Sequence, residues 1–390
     1  MNFETFRNAY DSGELVTSAY VFSADELEDR LAFIRSKLDP SYRLVYAIKA
    51  NPFLVELLDK KVDGFEICSP GELKICESCS VDVSDFVISG VNKERKDMER
   101  FAACGNEATF TIESVSQAQL LQSLAEEKNT RLSVLIRLTS GNQFGVDEDT
   151  LFGMIKTKEE CIPDLDIRGI QYFSGTQKKD KKIKSETEYL DTIITRLYDE
   201  LGFETRELEF GPGLYVPYFV NEADTESDSL ENLNVALKNM NFKGRITLEM
   251  GRFIAAPCGY FVTKICDAKN TRGAKYLIVD GGIHQLNYYG QMMAMKIPYI
   301  MTKSEGEEEH VCICGSLCTV GDVLARDVVL KDPQIGDLLV FAKTGAYSVT
   351  EGISHFLSRD LPSVYIYKNG KICNIRERQE LWEDNYGHLT

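Results

Sequence analysis

The sequence predicts an α/β protein: a (β/α)8 TIM barrel followed by a C-terminal β-rich domain. Two observations predict it. Up to about residue 255, short β-branched runs alternate with amphipathic helical patterns, and eight such units in about 235 residues match the count and size of this barrel. Beyond that point, apolar runs recur without long helices, as in an all-β domain. Strand–helix alternation implies a parallel sheet, because parallel neighbours need crossover connections. A doubly wound open sheet is the competing arrangement.

The elements follow in order. Residues 16–22 are strand-like and are expected to pair with the β domain before the chain enters the barrel. A helix over 25–38 comes next; Ser23 caps it, with Glu26 three residues on, as in a capping box. The barrel strands are expected at 44–48, 63–67, 85–89, 108–112, 132–138, 167–173, 207–211 and 245–249, with helical patterns at 72–77, 116–128, 186–201 and 230–240. The later strands are expected at 260–265, 276–279, 297–301, 311–314, 338–342 and 364–367. Asn369-Gly370 between two strand-like runs is a two-residue hairpin signal. The organisation is therefore an N-terminal strand (1–23), a barrel (24–255) and a β domain (256–390).

Composition narrows the function. The 390 residues carry 44 basic and 61 acidic side chains, so the net charge is 44 − 61 = −17. Such acidity argues against a binder of nucleic acid or of an anionic membrane, because phosphate neutralisation needs a basic face. No segment reaches the apolar length of a membrane span. The N-terminus shows neither a basic patch nor an apolar stretch of a secretory signal. Eleven cysteines without such a signal read as reduced thiols in the cytoplasm.

In a barrel the functional groups sit after the C-terminal ends of the strands. The first strand runs into Lys49, in YAIKANP, with Ala47, Ala50 and Pro52 leaving room above it. An amine in a partly desolvated mouth can form a Schiff base with a carbonyl; a surface lysine at a strand end is the plainer alternative. Strand six ends in Phe173-Ser174-Gly175-Thr176, strand seven in Gly211-Pro212-Gly213, and strand eight in Glu249-Met250-Gly251-Arg252. Glycines bring backbone N–H groups close to a phosphate, a hydroxyl adds a donor, and arginine pairs bidentately. A lysine, a phosphate cradle and a carboxylate together specify an aldehyde, a phosphate and a basic nitrogen. Pyridoxal 5'-phosphate has all three, with Glu249 keeping the pyridine nitrogen protonated. Each glycine pair alone is simply a tight turn; three coincident strand ends are not.

YAIKANP, FEICSPGEL, TIESVSQAQLL, FGPG, EMGR, GSLC and GAY occur in this order along nearly the whole chain. In these runs the sequence resembles the fold-type III pyridoxal-phosphate-dependent decarboxylases, such as the diaminopimelate, ornithine and carboxynorspermidine decarboxylases, whose fold is alanine racemase-like. The resemblance implies that Lys49 holds the cofactor as an aldimine. It implies that Glu249 contacts the pyridine nitrogen and that Thr176, Gly211, Gly213, Arg252 and Tyr347 bind phosphate, with Gly175 and Gly251 in the same turns. It also implies an obligate homodimer in which Cys318 comes from the neighbouring subunit and helps protonate the intermediate. The implied activity is loss of CO2 from an amino acid or a carrier-tethered aminoacyl group. A racemase is the enzymatic alternative. Against it stands Glu249, because alanine racemase faces the nitrogen with an arginine. A non-catalytic binding relative is the other.

Three features depart from the family pattern. Phe173 stands where the family has histidine; its ring can stack on a cofactor but carries no proton, and all four histidines lie after residue 280. Thr319 follows Cys318 where diamine-forming members have an acid, so the distal end of the substrate is expected not to be a free amine, unless Asp322 supplies the charge. Thr319, Asp322 and Arg137 are thus the substrate candidates. Lys178, Lys179, Lys181, Lys182 and Lys184 crowd behind Thr176: a solvated loop, or a docking patch for an acidic carrier protein. Cys76 and Cys79 are expected to pack rather than bind metal, having no second pair. No metal site is expected from Cys312, Cys314 and Cys318 either. Arg359 and Asp360 lie near a stretch that shapes substrate pockets in the family or form a surface ion pair.

Overall fold

The computed structural model describes residues 1–81, 86–103 and 108–387. The chain divides into two compact units: residues 32–216 with 225–253, and residues 1–31 with 217–224 and 254–390.

The first unit is a closed barrel. After the strand β1 (Ala19–Ser23) of the other unit, eight strands follow in order: β2 (Arg43–Ala47), β3 (Gly64–Ile67), β4 (Phe86–Ile88), β5 (Thr109–Ile112), β6 (Leu132–Arg137), β7 (Leu165–Phe173), β8 (Glu207–Gly211) and β9 (Arg245–Met250). Each pairs in parallel with the next, and β9 closes on β2. These strands are buried almost throughout because helices cover their outer face. The third expected strand is β4; position 85 lies outside the described residues. Side chains start the helices between them: Ser69 accepts from the Glu72 N–H at 3.2 Å, Ser114 from Gln117 at 3.2 Å and Asp147 from Thr150 at 2.8 Å. Each satisfies an N–H that the first helical turn leaves free. The helices Arg95–Ala103 and Glu148–Lys156 are additional to the expected ones.

The second unit is a mixed sheet. Its further strands are β10 (Gly259–Thr271), β11 (Ala274–Val279), β12 (Ile300–Met301), β13 (Glu308–Cys314), β14 (Val323–Lys331), β15 (Leu338–Ala342), β16 (Ser363–Lys368) and β17 (Lys371–Arg376). β1 lies between β10, antiparallel with Ala19 opposite Val262, and β16, parallel with Ala19 opposite Ser363. Asn369-Gly370 turns β16 into β17, both residues at positive φ, as a two-residue hairpin requires. The helix Phe3–Asp11, within the stretch 1–23 expected as an N-terminal strand, buries Phe6 and Ala9 against Val21, Tyr260, Val262 and Val340. Ser23 does cap the next helix, Ala24–Lys37, accepting from the Glu26 N–H at 3.2 Å.

Candidate active site

β2 ends in a short 3-10 turn, Ile48–Ala50, and Lys49 lies in that turn. Its Nζ donates to Glu66 Oε2 at 2.8 Å and to Glu249 Oε1 at 3.2 Å. Cys68 Sγ is 3.9 Å away. The two carboxylates come from the strands flanking β2: Ala47 is opposite Glu66 on β3, and Val45 is opposite Glu249 on β9. Both are buried. Burial pushes Glu66 up, but the Lys49 charge and hydrogen bonds outweigh it and hold the carboxyl below its ordinary range. Burial and the Glu66 charge push Glu249 above it. Cys68 is pushed well up, by burial and then by Glu66, and stays a thiol. Lys49 is therefore an amine held between one firmly ionised carboxylate and one that accepts a proton readily.

Glu249 uses its second oxygen to accept from Gln171 Nε2 at 3.3 Å. Next to it in the barrel, Glu209 is fully buried. Neither of its oxygens has a hydrogen-bond partner. Burial, then the charges of Glu249 and Glu66, raise its carboxyl well above the usual range. Both causes favour its protonated form.

The strand ends next to this cluster form a turn-rich corner. Thr176 Oγ1 accepts from Arg252 Nε at 3.2 Å. Gly175 has φ +130°, and a side chain there would point into open space. Gly213 has φ +57°, and a Cβ on it would come within 2.0 Å of the Gly175 carbonyl; no other residue lets these two turns approach so closely. A hydroxyl, a guanidinium and glycine turns beside open space fit a phosphate. A buried acid beside a lysine fits a pyridine nitrogen and an aldehyde. The residues present therefore fit pyridoxal phosphate. Phe173 lies over the same mouth, with Lys49 Nζ 5.7 Å from its ring centroid.

The other expected residues are placed as follows. Arg137 is buried, donates to Glu113 Oε1 at 3.1 Å and lies 4.5 Å from the Phe144 ring centroid. Cys318, Thr319, Asp322 and Tyr347 belong to the sheet unit. Cys318 and Thr319 are exposed, Tyr347 is half-buried and adopts φ +68°. Asp322 is buried and accepts from the Ile283 and Leu317 N–H groups at 2.8 and 2.7 Å, one on each oxygen. Its carboxylate holds a backbone turn, which leaves it poorly suited to meet a substrate ammonium. Arg359 donates to the Ser316 carbonyl at 2.7 Å, and Asp360 pairs with Arg378 at 2.7 Å, so the two do not pair with each other. Lys178 departs from the lysine cluster: it is buried, whereas Lys179, Lys181, Lys182 and Lys184 are exposed. Among the described residues His284, His310 and His355 belong to the sheet unit; His388 lies outside the described residues.

Sequence reasoning passed over Glu66, Cys68, Gln171 and Glu209. A signal for Glu66 and Glu209 was present: each is a carboxylate inside an apolar strand, in GFEI and ELEFG, where an unpaired charge is too costly to be incidental.

A parallel barrel with a lysine between two buried acids, beside a hydroxyl, a guanidinium and two glycine turns, fits a class: enzymes that carry an aldehyde cofactor on a lysine. The family model for the pyridoxal-binding domain of pyridoxal-dependent decarboxylases matches residues 24–256, and the chain belongs to this family. Its cofactor is pyridoxal phosphate. The chain is 26% identical over 396 residues to the L-glutamyl-[BtrI acyl-carrier protein] decarboxylase of Niallia circulans, covering 93% of this chain and 91% of the relative. It is 27% identical to the diaminopimelate decarboxylase of Aquifex aeolicus, covering 96% and 91%. The crystal structure of diaminopimelate decarboxylase from M. jannaschii with L-lysine superimposes with a TM-score of 0.85 at 24% identity, covering 95% and 92%. That likeness concerns the fold, a barrel with a separate mixed sheet.

Proposed function

We propose that this chain decarboxylates an amino acid, free or tethered to a carrier protein, with pyridoxal phosphate attached to Lys49. The observation that carries the reading is the placement of Lys49 Nζ between Glu66 and Glu249. Bound there, the cofactor supplies an aldehyde for the substrate amine and a protonated ring that takes up the electron pair left when CO2 departs. Glu249 would hold the ring nitrogen, and its raised proton affinity suits a hydrogen bond to that atom. An acid at this place favours decarboxylation over racemisation. Thr176, Arg252, Gly175, Gly211, Gly213 and Gly251 would hold the phosphate. Glu66 stays ionised and holds the Lys49 amine in place through its hydrogen bond. Phe173 covers the mouth as an apolar ring and moves no proton, so protonation at the substrate's α-carbon falls to Lys49 or Cys318. We read Cys318 as a partner subunit's contribution in a homodimer; its exposure is consistent with that role.

Two features favour a substrate without a free distal amine, presented on an acidic carrier. Thr319 offers no charge, and Asp322 is engaged with backbone N–H groups. Lys179, Lys181, Lys182 and Lys184 are exposed in the turn behind Thr176 and along the start of the helix Asp180–Leu201. No helix among the described residues is long and apolar enough to cross a membrane, and the described cysteines are all thiols; we place the chain in the cytoplasm. The test is CO2 release from free and carrier-bound amino acids by the cofactor-loaded protein. Release from a carrier-bound, non-basic substrate is the expected result. Equal or better turnover of ornithine or lysine would refute the substrate assignment, and no release with any amino acid would refute the decarboxylase reading.

A further inference from the structure

Behind the anion cradle lies a buried ion pair that the reaction does not use. Lys178 Nζ donates to Glu186 Oε2 at 2.6 Å, to Ser174 Oγ at 3.2 Å and to the Gly211 carbonyl at 3.1 Å. Ser174 Oγ in turn donates to Glu186 Oε1 at 2.5 Å. The Lys178 and Glu186 side chains are only 6% and 2% exposed. The ammonium also faces the Phe210 and Phe173 rings, 5.1 and 5.9 Å from their centroids. It therefore joins three segments: the turn after β7, the end of β8 and the helix Asp180–Leu201.

The backbone repeats this tie. The Lys178 N–H donates to the Gly213 carbonyl at 2.8 Å. The Gln177 amide holds Val216 at both ends, accepting from its N–H at 2.7 Å and donating to its carbonyl at 2.9 Å. The Lys178 stem fills the place of a missing side chain: a Cβ on Gly213 would lie 2.8 Å from Lys178 Cε. Charges are expensive to bury, and apolar residues of the same volume generally serve packing as well or better. A packing role alone does not explain why this pair is ionic. Its position does: it lies directly under the two glycine turns that carry the cradle. By engaging the Gly211 carbonyl, the ammonium ties the end of β8 to the turn after β7.

We propose that Lys178, held by Glu186 and Ser174, is a positioning residue that locks the turns after β7 and β8 into an anion cradle and so sets the affinity for the cofactor's phosphate. This rests on the assignment of Thr176, Gly211 and Gly213 to the phosphate site. The test compares pyridoxal phosphate with pyridoxal, which lacks the phosphate. Each is titrated into the full-length apoprotein, with binding read from the visible absorbance. Lys178→Met is expected to weaken pyridoxal phosphate by about tenfold or more, the scale of a lost charge-assisted contact, and pyridoxal by less than about twofold. If Lys178→Met does not fold, judged by far-UV circular dichroism, the neutral pair Lys178→Met/Glu186→Leu removes both charges together and must show the same selective loss. Equal weakening of both aldehydes, or of neither, overturns the proposal. Thr176→Val separates the two readings. Loss of phosphate selectivity there but not at Lys178 overturns only the role of Lys178; no loss at Thr176 overturns the phosphate site itself.

Discussion

Glu209 and Glu249 are neighbours inside the barrel with opposite hydrogen bonding. Glu249 gives one oxygen to Lys49 and the other to Gln171, whereas both Glu209 oxygens are buried without a partner. Glu66, Glu249 and Glu209 sit together because Glu66 is an ion paired with Lys49 and the surroundings of Glu209 favour its protonated form. This sets a pH dependence. A carboxyl raised by folding contributes stability below its unfolded pKa, and that stability is lost as pH rises towards the folded value.

Glu209→Gln removes that dependence, because glutamine is neutral at every pH. The variant should match the parent near pH 5 and exceed it near pH 8. The gap should grow by up to about 1.4 kcal/mol per pH unit while Glu209 stays protonated in the fold. Urea unfolding of the apoprotein at both pH values measures it. Parallel stability profiles would show that Glu209 ionises normally.

Lys49→Ala should lower kcat/KM by about a thousandfold or more, because the covalent attachment and the proton carrier are lost together. Borohydride reduction followed by peptide mass mapping should label Lys49 in the parent and no residue in the variant. A label elsewhere in the parent would shift the site away from β2.

Phe173 gives the mouth an aromatic face without a titrating group. Phe173→Ala should weaken cofactor binding by about tenfold, the range of a lost aromatic stacking contact. Phe173→His should keep binding and add an ionisation near pH 6.5 to the kcat profile, the ordinary range of an imidazole. An unchanged profile would mean that protons at the reacting carbon do not pass this position.

Reversing Lys179, Lys181 and Lys184 to glutamate should raise KM for a carrier-bound substrate by about tenfold at low salt, with kcat on a free amino acid within about twofold. The difference should shrink as ionic strength rises and screens the patch. A KM that ignores both charge and salt would leave these lysines as a solvated face.

The barrel was legible because short apolar strand-like runs alternate with several helical patterns, and because Lys49, Glu249 and the glycine turns fall at strand ends. The cluster around Lys49 was less so. Glu66 and Gln171 act on it through register between neighbouring strands, and register is a property of the closed sheet, not of any one run of residues. Lys178 shows the opposite failure. In sequence it belongs to a run of five lysines, and only the fold of the turn after β7 separates one buried ammonium from four exposed ones. The helix Phe3–Asp11 escaped for a related reason: its one buried face is just Phe6 and Ala9, too little periodicity to stand out.

The place of β1 has a consequence for the order of synthesis. This strand is made before the barrel, yet its two neighbours begin at residues 259 and 363. It must wait, unpaired, while the whole barrel emerges. The sheet unit is then completed from the most distant pairings in the chain, the kind that form slowly. A ribosome stalled before β16 would release a protein with a finished barrel and an apolar strand, Ala19–Ser23, open along one edge. Such an edge recruits other chains, so a nascent protein short of its last segment is the form most exposed to aggregation.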